Sequence, residues 1–347
     1  MKEFNLVASP GVLGLRSNRA SVAWSYGVTI PPSTRAALDE CAVKINLEVM
    51  PELPPVESGP AFGKYHYFRG KPLSDKIHYE RTLVMNRSIQ FEVGGLVGGQ
   101  PYLRCNEAYW RFVPYRFMNL HSIGYILTDI ASLLLLRSGY APLHCSAFRK
   151  GNSGVVVFAP PNTGKTLTTM QVCMNLGGEF LAEDLAITDG RTLYAVPWTS
   201  TFRYYGEIEQ SRASRLRHRL VQYFPPLELL PGRSAKSVQR YVDSSAIAEK
   251  AEITHIIILE RGETTVEPLS REDAFRRIRN LNRYEFNYAK APTAVAYEYF
   301  NPKLDLDGAS ECERKTLWNM VCHAKEIMVV RSSNPVDYAQ MVWSSVP

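Results

Sequence analysis

The sequence has no closely spaced cysteines: its six (Cys41, Cys105, Cys145, Cys173, Cys312, Cys322) are scattered and form no C-x-x-C pair. That excludes a disulfide scaffold and a cysteine-built zinc module, and it points to reduced thiols in a cytoplasmic protein. No long apolar stretch follows the basic residue at the amino terminus, so no secretory signal is expected. Strong charge of one sign is also missing. Forty Lys and Arg against 34 Asp and Glu leave a net +6, which suits an anionic ligand without demanding a nucleic acid. There is no internal repeat, and 45% hydrophobic with 21% charged residues excludes collagen-like, coiled-coil and largely disordered chains.

What is present is enough chain for about two domains: 347 residues at roughly 150 per domain. Residues 1–115 carry short apolar runs (Ser21–Ile30, Lys44–Met50, Thr82–Phe91) broken by turn signals, and the stretch 50–70 is rich in proline and glycine. This predicts a smaller β-rich α+β domain with little helix, in which 50–70 is an irregular loop. The most apolar segment, Phe117–Leu136, is long enough to span a bilayer but contains His121 and Asp129. A mid-helix Asp costs about 2.5–3.5 kcal/mol on insertion, so the segment is read as a buried helix and no membrane span is expected.

From 116 to 347 the pattern alternates strands and helices, the signature of an α/β domain. Strands are expected at Val155–Ala159, Phe180–Thr188, Thr192–Val196, Ile253–Glu260 and Ile327–Val330, with a hairpin turn at Asp189-Gly190. Helices are expected at Thr166–Leu176 and from an N-cap at Ser270, with Asp273 three positions on, to about Leu281.

The sharpest chemical signal is Ala159-Pro160-Pro161-Asn162-Thr163-Gly164-Lys165-Thr166. It matches the phosphate-binding loop G-x-x-x-x-G-K-[ST] except that Ala159 replaces the first glycine, and it sits between an expected strand and helix. Gly164 lets backbone N–H groups turn toward a phosphate, Lys165 brings a cation to the outer phosphates, and the Thr166 hydroxyl suits Mg²⁺ at the helix start. Downstream, Glu183-Asp184 interrupts an apolar run, where a buried carboxylate calls for a metal, a cation or a catalytic task. Asp189 and Asp243 are weaker alternatives. His144 precedes a short strand expected to pair beside the loop strand. Arg203 is a candidate third cation, and the basic stretch Arg212–Arg219 fits either a solvated helix face or a cover over the site.

Taken in order, His144, the loop at 159–166 and Ala182-Glu183-Asp184 resemble the catalytic domain of the HPr kinase/phosphorylase family. The resemblance covers roughly residues 135–200 and extends loosely through 253–281. It implies a P-loop kinase domain of the HPr kinase / phosphoenolpyruvate carboxykinase type, using ATP and Mg²⁺ to phosphorylate a serine or other hydroxyl of a peptide, protein or small metabolite. It makes Asp184 the general base, Lys165 the ligand of the β- and γ-phosphates, Thr166 and Glu183 the metal ligands, and His144 the residue that orients the acid or the phosphate. Glu183 stands where the family has Asp. The later glycine-rich signature of the phosphorylase reaction is missing, so phosphorolysis is not expected. The alternative is an ATP-sensing regulatory or assembly module without transfer, and a P-loop hydrolase is a third reading. Nucleic acid is not expected as a partner, and assembly into homo-oligomers is left open.

Overall fold

The computed structural model describes residues 2–23, 29–55, 59–63, 67–82, 88–113, 121–197, 238, 241–286 and 288–347. Arg203 and Arg212–Arg219 lie outside them.

The amino-terminal part forms a mixed sheet. Its strands are β1 (Phe4–Ser9), β2 (Leu13–Ser17), β5 (Pro32–Ser33), β6 (Val43–Met50), β7 (Ala61–Phe62), β8 (Phe68–Arg69), β9 (Lys76–Thr82), β10 (Ser88–Gly94) and β11 (Tyr102–Asn106), in the order β5-β1-β2-β6-β11-β10-β9-β8-β7. A separate pair joins β3 (Val22–Ala23) and β4 (Thr29–Ile30). Strand β6 shows how the sequence writes the sheet: Val43, Ile45, Leu47 and Val49 are buried while Lys44, Asn46 and Glu48 face outward. Of the run Thr82–Phe91, Thr82 ends β9 opposite Ser88, and Ser88–Phe91 lie in β10. One expectation needs correction. The stretch 50–70 is not wholly irregular, because β7 and β8 pair within it.

Helices α1 (Arg35–Asp39) and α2 (Glu107–Phe112) flank this sheet, and α3 (Ile123–Arg137) follows. The inner face of the sheet, α3 and part of the carboxy-terminal half share one core, in which Leu47, Phe91, Leu127 and Phe300 are all buried. Helix α3, which falls within the described part of the apolar segment read as a buried helix and extends one residue past it, thus lies between the two halves of the molecule, and among the described residues no helix is long and apolar enough to cross a membrane. All six cysteines are free.

The second sheet contains β12 (Ala141–Leu143), β13 (Ser146–Lys150), β14 (Ser153–Phe158), β15 (Glu179–Ala182), β16 (Ala186–Thr188), β17 (Thr192–Ala195), β18 (Lys250–Arg261), β19 (Thr265–Pro268) and β20 (Glu326–Ser332). Strand β14 lies between antiparallel β13 and parallel β18, and β20 runs parallel to β18. Helices α5 (Arg271–Glu285) and α7 (Leu306–His323) cover one face, while α4 (Lys165–Asn175) and α8 (Tyr338–Ser344) cover the other; α6 (Pro292–Phe300) packs toward the first sheet. Along β14, Val156 and Phe158 enter the core under α5 and α7, and Val155 and Val157 enter the core under α4 and α8. Burial on both faces explains the unbroken apolar run. The architecture is mixed α/β.

The strand expected over Phe180–Thr188 is two strands. Strand β15 pairs with β13, whereas β16 pairs with β12 and β17, and the break falls at Glu183-Asp184. Asp184 has φ +70°, a left-handed conformation that Asp tolerates better than most residues and that turns the chain out of the ladder. The turn at Asp189-Gly190 forms as expected. Ser270 caps α5 by accepting from Asp273 N–H at 3.2 Å, and that helix runs to Glu285.

Candidate functional site

The 159–166 segment leaves the buried end of β14 and enters α4. Ala159 is buried, Pro160 to Asn162 are exposed, and Thr163 N–H donates to the Pro160 carbonyl at 3.3 Å. Asn162 adopts φ +60° and Gly164 φ +124°. The Gly164 value is one that side-chain-bearing residues rarely adopt, and a Cβ there would also lie 3.1 Å from Pro335 Cβ. Ala159 is not among the positive-φ residues, so the departure from the motif falls where the backbone does not require glycine. Helix α4 starts at Lys165 with Gly164 as its N-cap and no side-chain cap, which leaves its first N–H groups to an outside acceptor.

Lys165 is buried, at 8% exposure, and its Nζ has no hydrogen-bond partner among the described residues. Burial pulls its pKa down, opposed by the charges of Asp184, Cys145, Glu183 and Glu285, in that order. Glu183 is buried, and its Oε1 accepts from Thr166 Oγ1 at 2.8 Å. The hydroxyl of the loop and the first acid are therefore adjacent. Asp184 is half-buried and is the strongest carboxylate influence on Lys165.

His144 occupies the link between β12 and β13. Burial, then the nearby Lys165 charge, pull its pKa down to about 3, against a hydrogen bond to the Asp184 backbone that favours the charged ring. The imidazole is neutral at physiological pH. Its Nε2 lies 3.6 Å from Glu285 Oε1. Burial raises the Glu285 pKa, Lys165 lowers it and Asp184 raises it further. The structure thus brings His144, Lys165, Thr166, Glu183 and Asp184 to one place, although they span 41 positions in the chain (184 − 144 + 1). The weaker alternatives are turn-formers: Asp189 accepts from the Arg191 and Thr192 N–H groups at 2.8 Å each, and Asp243 accepts from Ser245 N–H at 3.1 Å.

Sequence reasoning missed three participants. Glu285 ends α5 and faces the site. Asn282, one helical turn earlier, is fully buried: its Oδ1 accepts from His144 N–H at 3.0 Å, and its Nδ2 donates to the Pro142 carbonyl at 3.1 Å and to Glu313 Oε1 at 2.5 Å. Glu313, buried on α7, also accepts from Tyr288 Oη at 2.8 Å. The only signal was the helical i, i+3 spacing of Asn282 and Glu285, which is common on any amphipathic helix.

No protein-family model matches the chain, and no curated protein matches it in sequence. Among solved structures, the Hpr(Ser) kinase/phosphatase from Coxiella burnetii is similar over 37% of this chain and 76% of its own, at 10% identity and a TM-score of 0.24.

Proposed function

We propose that the protein is an ATP-dependent kinase, with residues 116–347 as its P-loop domain, that transfers the γ-phosphoryl group to a hydroxyl of a peptide, protein or small molecule. The observation that carries this reading is the Lys165 ammonium, buried without a hydrogen bond at an uncapped helix start beside two carboxylates. A buried, unpartnered cation is costly, and an anion held by it and by the α4 N–H groups would remove that cost.

In this reading Lys165 and the amides of 162–166 bind the β- and γ-phosphates. The acceptor oxygen attacks the γ-phosphorus, its O–P bond forms as the bond to the β,γ-bridging oxygen breaks, and ADP leaves. Asp184 takes the hydroxyl proton. Neutral His144 holds the Asp184 backbone in its left-handed turn and thereby aims that carboxylate.

Thr166 Oγ1 and Glu183 Oε1 are oxygen donors suited to a hard cation, and no group of three His, Cys, Asp or Glu among the described residues could hold a metal alone. Mg²⁺, which takes one or two carboxylates plus substrate phosphates, fits that donor set. Bound there, it would offset negative charge on the transferring group.

The test uses γ-labelled ATP with hydroxyl acceptors. Lys165→Ala is expected to lower transfer by about 10³-fold or more. In a thermal melt, ATP at 100 times its Kd should stabilise the parent by about 2.7 kcal/mol and leave the variant unmoved. Equal turnover in both proteins overturns the proposal, and ATP protection without any labelled acceptor points instead to the sensing module.

A further inference from the structure

Glu285 is the carboxylate of the site that the proposed reaction leaves unused. Thr166 serves Glu183, Asp184 receives the hydroxyl proton, and Lys165 is committed to phosphate once the donor binds. Glu285 then keeps the field of Lys165, which the phosphates share, and lies 3.6 Å from the His144 ring. That ring is held neutral by burial, and among the described residues no Lys or Arg forms an ion pair with Glu285. Its position sharpens the problem. Glu285 is the last residue of α5, where the helix presents its negative end and an anionic side chain is unfavourable. It is also accessible, with its side chain 36% exposed. An accessible carboxylate at the wrong end of a helix is a setting that an ammonium or guanidinium would relieve through charge.

We propose, resting on the kinase reading, that Glu285 recognises a positive charge carried next to the accepting hydroxyl, so that the acceptor is a seryl segment with an adjacent Lys or Arg. The cation would sit against Glu285 while the serine Oγ approaches Asp184, and this pairing would fix the register of the segment.

The experiment compares two serine peptides of equal length and net charge, one with Arg beside the serine and Glu at the far end, the other with these exchanged. With labelled ATP, the parent is expected to favour the Arg-flanked peptide by about tenfold in kcat/KM, chiefly through KM. Glu285→Gln should bring that ratio to roughly twofold or less, and Glu285→Lys should reverse it. Equal labelling of the two peptides by the parent overturns this inference alone. So does a Glu285→Gln protein whose kcat falls equally for both with the preference intact, which would leave Glu285 only a support for His144. Absence of label from either peptide, with Lys165→Ala indistinguishable from the parent, overturns the kinase reading as well.

Discussion

On the outer face of the first sheet, Arg104 lies between Glu48, at 2.7 Å, and Glu92, at 3.6 Å, with its guanidinium over the Tyr102 ring. At the start of α4, Lys165 lies near Asp184, Glu183 and Glu285 yet hydrogen-bonds to no described residue. Both regions gather charges of both signs. In the first they are half-exposed and mutually satisfied, the usual condition of a structural surface. In the second a buried cation is unsatisfied, an aspartate has positive φ, and a histidine is held neutral far below its ordinary pKa. Unpartnered buried atoms occur in the first sheet as well, at Ser9, Arg19 and His78, but only around the 159–166 loop do a buried lysine, a positive-φ aspartate and a neutral histidine gather, and the proposed site rests on that gathering.

The comparison is tested most severely at Asp184. Asn keeps the left-handed preference of this position but cannot accept a proton, so Asp184→Asn should fold like the parent and slow transfer by about 10²–10⁴. Single-turnover rates with labelled ATP, beside a thermal melt, separate the two effects. An unchanged rate removes Asp184 from the chemistry.

A smaller effect is expected where the second sheet is fully satisfied. Asn282→Ala strips partners from His144 N–H, the Pro142 carbonyl and the buried Glu313 carboxylate at once. Stranding these groups should cost about 2–4 kcal/mol in urea unfolding. A loss below about 1 kcal/mol would mean that Glu313 is not held as a buried carboxylate.

The turn from β14 into α4 and the acids beside it were legible because they are local: Gly164, Lys165 and Thr166 are consecutive, and Glu183 and Asp184 are adjacent. The alternating pattern of β6 was legible because burial on one face repeats every second residue. Two things could not be read. Phe180–Thr188 looked continuous because both halves are apolar, yet the ladder partner changes at Glu183-Asp184, and partner choice is a tertiary fact. Glu285 and Asn282 lie on α5, about 100 positions or more from Asp184 and Lys165, and only the packing of that helix over β12 brings them to His144.

The pH dependence of stability sharpens the contrast further. His144 has an ordinary pKa of 6.5 and a folded value of about 3, so between these values the unfolded chain binds a proton that the folded one refuses. Stability should therefore fall with acidification across that window by up to about 1.4 kcal/mol per pH unit from this residue. The groups facing it are Lys165, Asp184 and Glu285; Glu285, with a raised pKa, acts in the opposite sense near the acid end. Urea midpoints between pH 7 and 5, compared with those of His144→Asn, isolate the histidine. Parallel curves for the two proteins would show that the ring is not held neutral.

The smallest effect belongs to the first sheet. Arg104→Gln removes two ion pairs and the stack on Tyr102, but the Arg104 and Glu48 side chains are 40% and 41% exposed, so water replaces much of what is lost. The expected cost is below about 1 kcal/mol, a shift of about 2–4 °C at most in melting temperature, with ATP protection and transfer untouched. A loss as large as that of Asn282→Ala would place a tightly coupled network on this face. A change in transfer rate would make the cleft of about 890 Å³ beside it, lined by Arg16, Asn46, Glu48 and Arg104, part of acceptor binding, and would undo the division between scaffold and site.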